Sequence, residues 1–135
     1  ITKSNDDNYL IVGRKGIGAL KTAVWLLKID SYGNIIFDKT FSEGEGYSID
    51  TTFDGGCIIV GHTSQYDIIL IKVDEQGNEE WVKTFGGASN EKGISVEQTK
   101  GGGYVLAGYT SSFGGGLTDI WIIKTDHLGN VEGLK

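Results

Sequence analysis

Two histidines, one cysteine and a scatter of carboxylates are the residues of this chain with chemistry to offer. His62 lies close to Ser64, a base and a nucleophile by type, but no third residue is placed to orient the pair. His127 is alone, and neither histidine has a Cys or second His at ligand spacing, so no metal site is expected. Asp30, Asp74 and Asp126 each open a D-x-x-G-N segment. Too few carboxylates surround them for calcium, and the segments read as hairpin turns, with Asp accepting backbone hydrogen bonds and Gly taking the left-handed position. Glu43, Glu45 and Glu91 fall between apolar runs and read as solvated charges on connecting loops. Cys57, inside GGCIIVG, reads as a small buried hydrophobe.

Two stretches imitate nucleotide sites. YLIVGRKGIGALKTAVWLL (residues 9–27) has the strand, glycine turn and apolar run of a dinucleotide-binding unit. Its glycines run G-x-x-G-x-G, however, where that unit needs G-x-G-x-x-G. Lys21-Thr22 lacks the glycine that a phosphate loop sets before its lysine. No cofactor is expected.

The elements that must carry these residues repeat. The Gly-Asn pairs at 33, 77 and 129 are 44 and 52 residues apart, and Lys28, Lys72 and Lys124 keep the same offsets ahead of them. A second glycine landmark, at Gly13, Gly61 and Gly108, has spacings of 48 and 47, so one loop of the unit varies in length. Each unit reads as four strands. The first alternates (46–52, 93–99, and only ITKS at the start). The second (8–13, 56–61, 103–108) and third (23–30, 67–74, 119–126) are unbroken apolar runs, as strands covered on both faces should be. The fourth alternates again (35–41, 79–85). Trp25, Ile69 and Trp121 share one position, and Phe37 and Trp81 another, which suits packing between units.

Composition agrees. Glycine contributes 22 of 135 residues and proline none, so tight turns must rely on Gly, Asn and Asp. A net charge of −6 would repel a phosphate backbone or an anionic membrane, so no nucleic-acid partner is expected. No apolar run is long enough to insert in a bilayer as a helix. The absence of Met leads us to expect a processed or partial chain.

DGGCIIVGHT…DIILIKVDEQGNEEWVKTFGG, together with GGGYVLAGYTSSFGGGLTDIWIIKTDHLGN, closely resembles a β-propeller-type repeat of predicted secreted and envelope proteins of bacteria and archaea. The likeness covers essentially the whole chain. The first copy departs most, with NDDNYLIVGRKG in place of the Gly-Gly and G-x-T of the others. The resemblance implies an all-β fold of four-stranded antiparallel propeller blades, about three in this chain, at 1–45, 46–92 and 93–135. It implies an extracellular or envelope location and brings no catalytic residues. The D-x-x-G…W spacing is also distantly similar to quinoprotein propeller blades, a likeness of packing that implies no quinone.

In such a unit the two-to-three loops and the unit-to-unit links share one rim, and these are the segments that vary: 14–22, 62–66, 109–118 and 85–93. Variable loops on a constant scaffold are where binding resides. Arg14, Lys15, Lys21, His62, Gln65, Tyr66, Tyr109 and Phe113 are the expected binding residues, for a protein or glycan ligand, with no catalysis. The alternatives are a propeller enzyme acting on polysaccharide through a carboxylate-lined central channel, to which strand one offers Asp50, Glu97 and Gln98, and a purely structural repeat. Three blades do not close a ring of the usual four to eight or so. The expected partner is therefore either further blades of a longer parent chain or a second copy, forming a six-bladed homodimer.

Overall fold

A computed structural model describes residues 1–134 of the chain. Among them the backbone is all-β and contains no helix. The strands are β1 (Thr2–Lys3), β2 (Tyr9–Gly18), β3 (Lys21–Ile29), β4 (Ile35–Thr51), β5 (Cys57–Thr63), β6 (Ile68–Val73), β7 (Glu79–Phe85), β8 (Glu91–Gln98), β9 (Tyr104–Thr110), β10 (Asp119–Thr125) and β11 (Val131–Leu134). They form two antiparallel sheets, one of seven strands in the order β1 to β7 and one of four in the order β11-β10-β9-β8.

Pairing divides the larger sheet. β4 bonds to β3 as far as Glu43 and to β5 from Gly44 onward. The chain is thus three successive four-stranded meanders, with β4 shared between the first two. Two expectations are corrected here. Glu43 and Glu45 do not lie on a loop, because β4 runs unbroken through 17 residues. Their backbones pair with Ala23 and His62, partners that a loop would lack. Residues 14–22 are not a loose loop either. β2 continues to Gly18 and β3 starts at Lys21, so Ala19 and Leu20 alone make the turn of a projecting hairpin.

The repeated D-x-x-G-N segments form one turn three times. In each, the Asp N–H donates to the Asn carbonyl and the Gly N–H to the Asp carbonyl. Asp74 Oδ1 also accepts from the N–H groups of Gln76 and Asn78, as Asp30 and Asp126 do at their own turns. Gly33, Gly77 and Gly129 have φ of 87°, 87° and 81°, left-handed values that favour glycine. A register shift follows Lys28, Lys72 and Lys124 alike, the bulge that closes such a hairpin.

The meanders stack through two apolar clusters. Leu10, Val24 and Leu26 of the first meet Ile49, Cys57, Ile59, Ile69, Ile71 and Val73 of the second. The opposite face of the second, with Ile58, Val60, Ile68 and Leu70, meets Val96, Tyr104, Leu106, Trp121 and Ile123 of the third. β6 is therefore buried at every position, which is why its sequence does not alternate. Each such side chain contributes roughly 1.5–3 kcal/mol by leaving water. The approach repeats in register: a Cβ on Gly46 would strike Val12 and Val24, and one on Gly93 would strike the equivalent Val60 and Ile68. Cys57 lies inside the first cluster, and burial pushes its thiol up to about 12, so it is an inert apolar filler.

Candidate functional site

The left-handed turn recurs at residues 63–67, with a tyrosine where the glycine belongs. Thr63 N–H donates to Asp67 O and Tyr66 N–H to Thr63 O, and Tyr66 adopts φ of 63°. A bulky residue held there costs about 1–3 kcal/mol. Two contacts hold it. The ring stacks on the His62 imidazole, with centroids 4.8 Å apart and planes inclined by 17°. The Tyr66 carbonyl accepts the Glu91 N–H at 2.6 Å.

His62 is the last residue but one of β5, beside the point where strand gives way to this turn, and is only 5% exposed. Its Nδ1 lies 2.7 Å from Thr63 O and its Nε2 lies 3.1 Å from Tyr47 Oη. A carbonyl can only accept, so Nδ1 carries the proton of the first contact. Tyr47 Oη is also 3.0 Å from Glu45 Oε2, so its one proton serves either Glu45 or the imidazole. Glu45 Oε1 accepts from Arg14 Nη1 at 2.5 Å. The Arg14 guanidinium, opposed by burial and helped by Tyr47, holds the Glu45 carboxyl below the usual range. Lys92 Nζ lies over both phenol rings, 5.8 Å from the centroid of Tyr47 and 5.5 Å from that of Tyr66.

Between the 14–22 hairpin and this turn lies a cavity of about 270 Å³, lined by Arg14, Leu20, Lys21, Glu45, His62 and Tyr66 among others. Lys21 bonds Glu43 at 3.0 Å across its wall. Ser64 also lines the cavity, but both nitrogens of His62 are engaged elsewhere, so the imidazole does not address that hydroxyl. The arrangement offers cations, an aromatic stack and hydrogen-bond donors to a ligand.

Of the residues expected to bind, Arg14, Lys21, His62 and Tyr66 converge here. Tyr109 pairs with Lys92 across β8 and β9, next along the same rim. The others lie apart. Lys15 bonds Asp38 at 3.3 Å and lies over the Trp25 ring. Gln65 is exposed, its backbone N–H bonded to Thr63 Oγ1. Phe113 packs on Trp121 at 5.2 Å. Glu45, Tyr47 and Lys92 were missed. A signal for two of them exists: Glu45 and Lys92 both immediately precede the strand-one glycine, and differ in charge where the scaffold is otherwise constant.

Glu91 is a further correction. It is fully buried, and its carboxylate accepts from Thr110 Oγ1 at 2.9 Å and Gly87 N–H at 3.1 Å. Burial works to raise its pKa, but these donors and Ser112 outweigh it and the net direction is down. Asp50 and Gln98 are joining groups: Asp50 Oδ2 accepts the Gln98 N–H at 2.9 Å, tying β4 to β8.

No family model and no curated protein matches the chain. A solved structure of a protein of unknown function from Bacteroides caccae matches it with a TM-score of 0.56 at 12% identity. The match covers 95% of this chain and 57% of that one, so the chain spans little more than half the length of this structural relative. At that identity the likeness concerns the fold alone.

Proposed function

We propose that the three meanders are blades of a β-propeller, and that the module binds a glycan or protein ligand, without catalysis, on the rim formed by Arg14, Lys21, His62 and Tyr66. The observation that carries this reading is Tyr66. At the equivalent turns of the opposite rim this place is held by glycine or, at residues 4–8, by Asp7, types that enter the left-handed conformation readily, so a tyrosine is the bulky exception. The strained turn instead presents a ring stacked on His62, beside cations, at the wall of a cavity. Aromatic faces beside fixed donors suit a sugar ring or a peptide side chain. A panel of immobilised polysaccharides and peptides tests it. Binding to a panel member should fall at least tenfold in both Tyr66→Gly and His62→Ala. A ligand that bound both variants undiminished would remove the rim from consideration.

The propeller reading is supported by the two end faces. On the first meander Ile1 is 78% exposed and Trp25, Leu27 and Ile29 are only half-buried, whereas their second-meander counterparts Ile69, Ile71 and Val73 are sealed. On the third, Ile120 is 78% and Ile122 38% exposed. Uncovered sheet faces of this kind call for neighbours. Further blades of a longer chain, or a second copy in a six-bladed ring, would supply them. A stable, non-aggregating monomer in solution would eliminate the second copy. An extracellular or envelope location rests on the sequence resemblance, and fractionation of the source cells tests it.

A further inference from the structure

The opposite rim, constant in its turns, has one place where a charged group is missing. At residues 52–56, Thr52 N–H donates to Gly56 O and Gly55 N–H to Thr52 O; residues 4–8 and 99–103 make the same turn. In the second meander the Asp54 carboxylate fills the turn. It accepts from Thr52 Oγ1 at 2.5 Å and Gly56 N–H at 3.0 Å, and pairs with Lys72 Nζ at 3.0 Å. In the first, Asp6 does the same with Ser4 Oγ and with Lys28 Nζ, the latter at 2.7 Å. Lys28 and Lys72 are buried as a result.

The third meander keeps the donors and lacks the acceptor. Thr99, Gly103 and Lys124 stand where Thr52, Gly56 and Lys72 do, but the aspartate position is Gly101. The Lys124 side chain is 57% exposed and pairs only with Glu132, at 3.4 Å, among the described residues. A cavity of about 420 Å³ opens there, lined by Thr99, Lys100, Gly101, Gly103, Lys124 and His127 together with Asp126 and Glu132. Neither acid closes it. Asp126 is committed to its own turn, accepting from Leu128 N–H and from Asn130. Glu132 stands where Glu80 does, and Lys72 holds Glu80 at 3.1 Å and Asp54 together, so a lysine here accommodates two carboxylates.

The surrounding charge shifts in the same direction. Phe53, Asp54 and Glu75 of the second meander become Lys100, Gly101 and His127 in the third. On a chain of net charge −6, this turn has lost two acids and gained a lysine.

We infer that the turn at residues 99–103 is a receptor for an aspartyl side chain of a partner polypeptide, whose carboxylate takes the place between Thr99 Oγ1, Gly103 N–H and Lys124 Nζ that Asp54 fills internally one unit earlier. An aspartyl group is the occupant that fits because aspartate fills both equivalent turns. The site is separate from the His62 rim and does not depend on its role.

The test is a titration of the full chain with N-acetyl-aspartate N-methylamide, followed by amide and lysine-ammonium NMR. Saturable shifts are expected at Thr99, Gly103 and Lys124. In Gly101→Asp the new carboxylate should occupy the turn from within and weaken binding at least tenfold. A Cβ at Gly101 meets nothing within 4 Å and the residue is not left-handed, so this variant should fold. Lys124→Met should weaken binding equally. Three results would overturn the proposal: no saturable shift, undiminished binding in Gly101→Asp, or equal shifts from sulfate or glucuronate, which would mark a general anion site or a sugar-acid site instead.

Discussion

Gly129 lies against the indole of Trp81, so close that a Cβ there would come within 2.7 Å of the ring. Gly77 meets Phe37 in the same way, at 3.0 Å, while Gly33 has nothing within 4 Å. The recurring turn of one meander is thus seated on the strand-four aromatic of the meander before it, and glycine there serves two ends. Gly33→Ala should cost about 1–2 kcal/mol, from the left-handed conformation alone. Gly129→Ala and Gly77→Ala should cost about 1–3 kcal/mol more, because the ring must also shift. Denaturant titration of the three variants separates the terms, and equal losses would mean the aromatic contact is slack.

Tyr66 gives an unusual expectation for a large-to-small change. Tyr66→Gly relieves left-handed strain of about 1–3 kcal/mol and forfeits a stack worth about 0.5–1.5 kcal/mol. Stability should stay level or rise slightly while rim binding falls. A thermal melt in which the variant lost more than about 2 kcal/mol would show that the ring is there for the fold.

Much of the scaffold was legible because repetition makes its physics visible. Gly33, Gly77 and Gly129 recur with their Asp and Asn partners since no other residues close that turn cheaply, and the unbroken run of β6 announces a strand covered on both faces. The site was only half legible. Arg14, Lys21, His62 and Tyr66 stand out as types on variable segments, but Glu45 and Glu91 looked like solvent-facing charges. Glu45 is half-buried and Glu91 fully buried, held by donors distant in sequence, Arg14 for one and Thr110 for the other. Nothing local encodes that. The 14–22 hairpin was missed for a related reason. Its glycines suggest a loop, yet Gly16 and Gly18 pair with Thr22 and Lys21.

Acid should weaken the fold through the turns that hold Asp6 and Asp54. Lys28 and then Ser4 hold the Asp6 carboxyl well below its ordinary value of 3.8. Burial opposes the same shift at Asp54, but Thr52, the Gly56 N–H and Lys72 prevail. Both folded-state values lie below the unfolded one. Their contribution is therefore complete above about pH 4 and is lost as pH falls through the depressed values. Asp54→Asn should flatten the acid limb of a stability-against-pH curve measured between pH 2 and 6. An acid limb unchanged in that variant would place the titrating groups elsewhere.

Glu91 links the stability of the rim to its shape. Its carboxylate accepts hydrogen bonds from Thr110 Oγ1 and the Gly87 N–H, while its own N–H donates to the Tyr66 carbonyl. Thr110 Oγ1 in turn accepts from the N–H groups of Ser112 and Phe113, so two loops converge on one buried acid. In Glu91→Gln the amide NH₂ would face either the Gly87 N–H, a donor, or the Thr110 hydroxyl, whose lone pairs already accept from Ser112 and Phe113, at a cost of about 1–3 kcal/mol. The loss should be local. Hydrogen exchange should quicken at Gly87, Ser112 and Tyr66, where the donors have lost their acceptor or their anchor. The turn at residues 126–130, on the opposite rim, should exchange as before. Uniform acceleration across both rims would mean that Glu91 supports the whole stack, and its role in positioning Tyr66 would then have no separate standing.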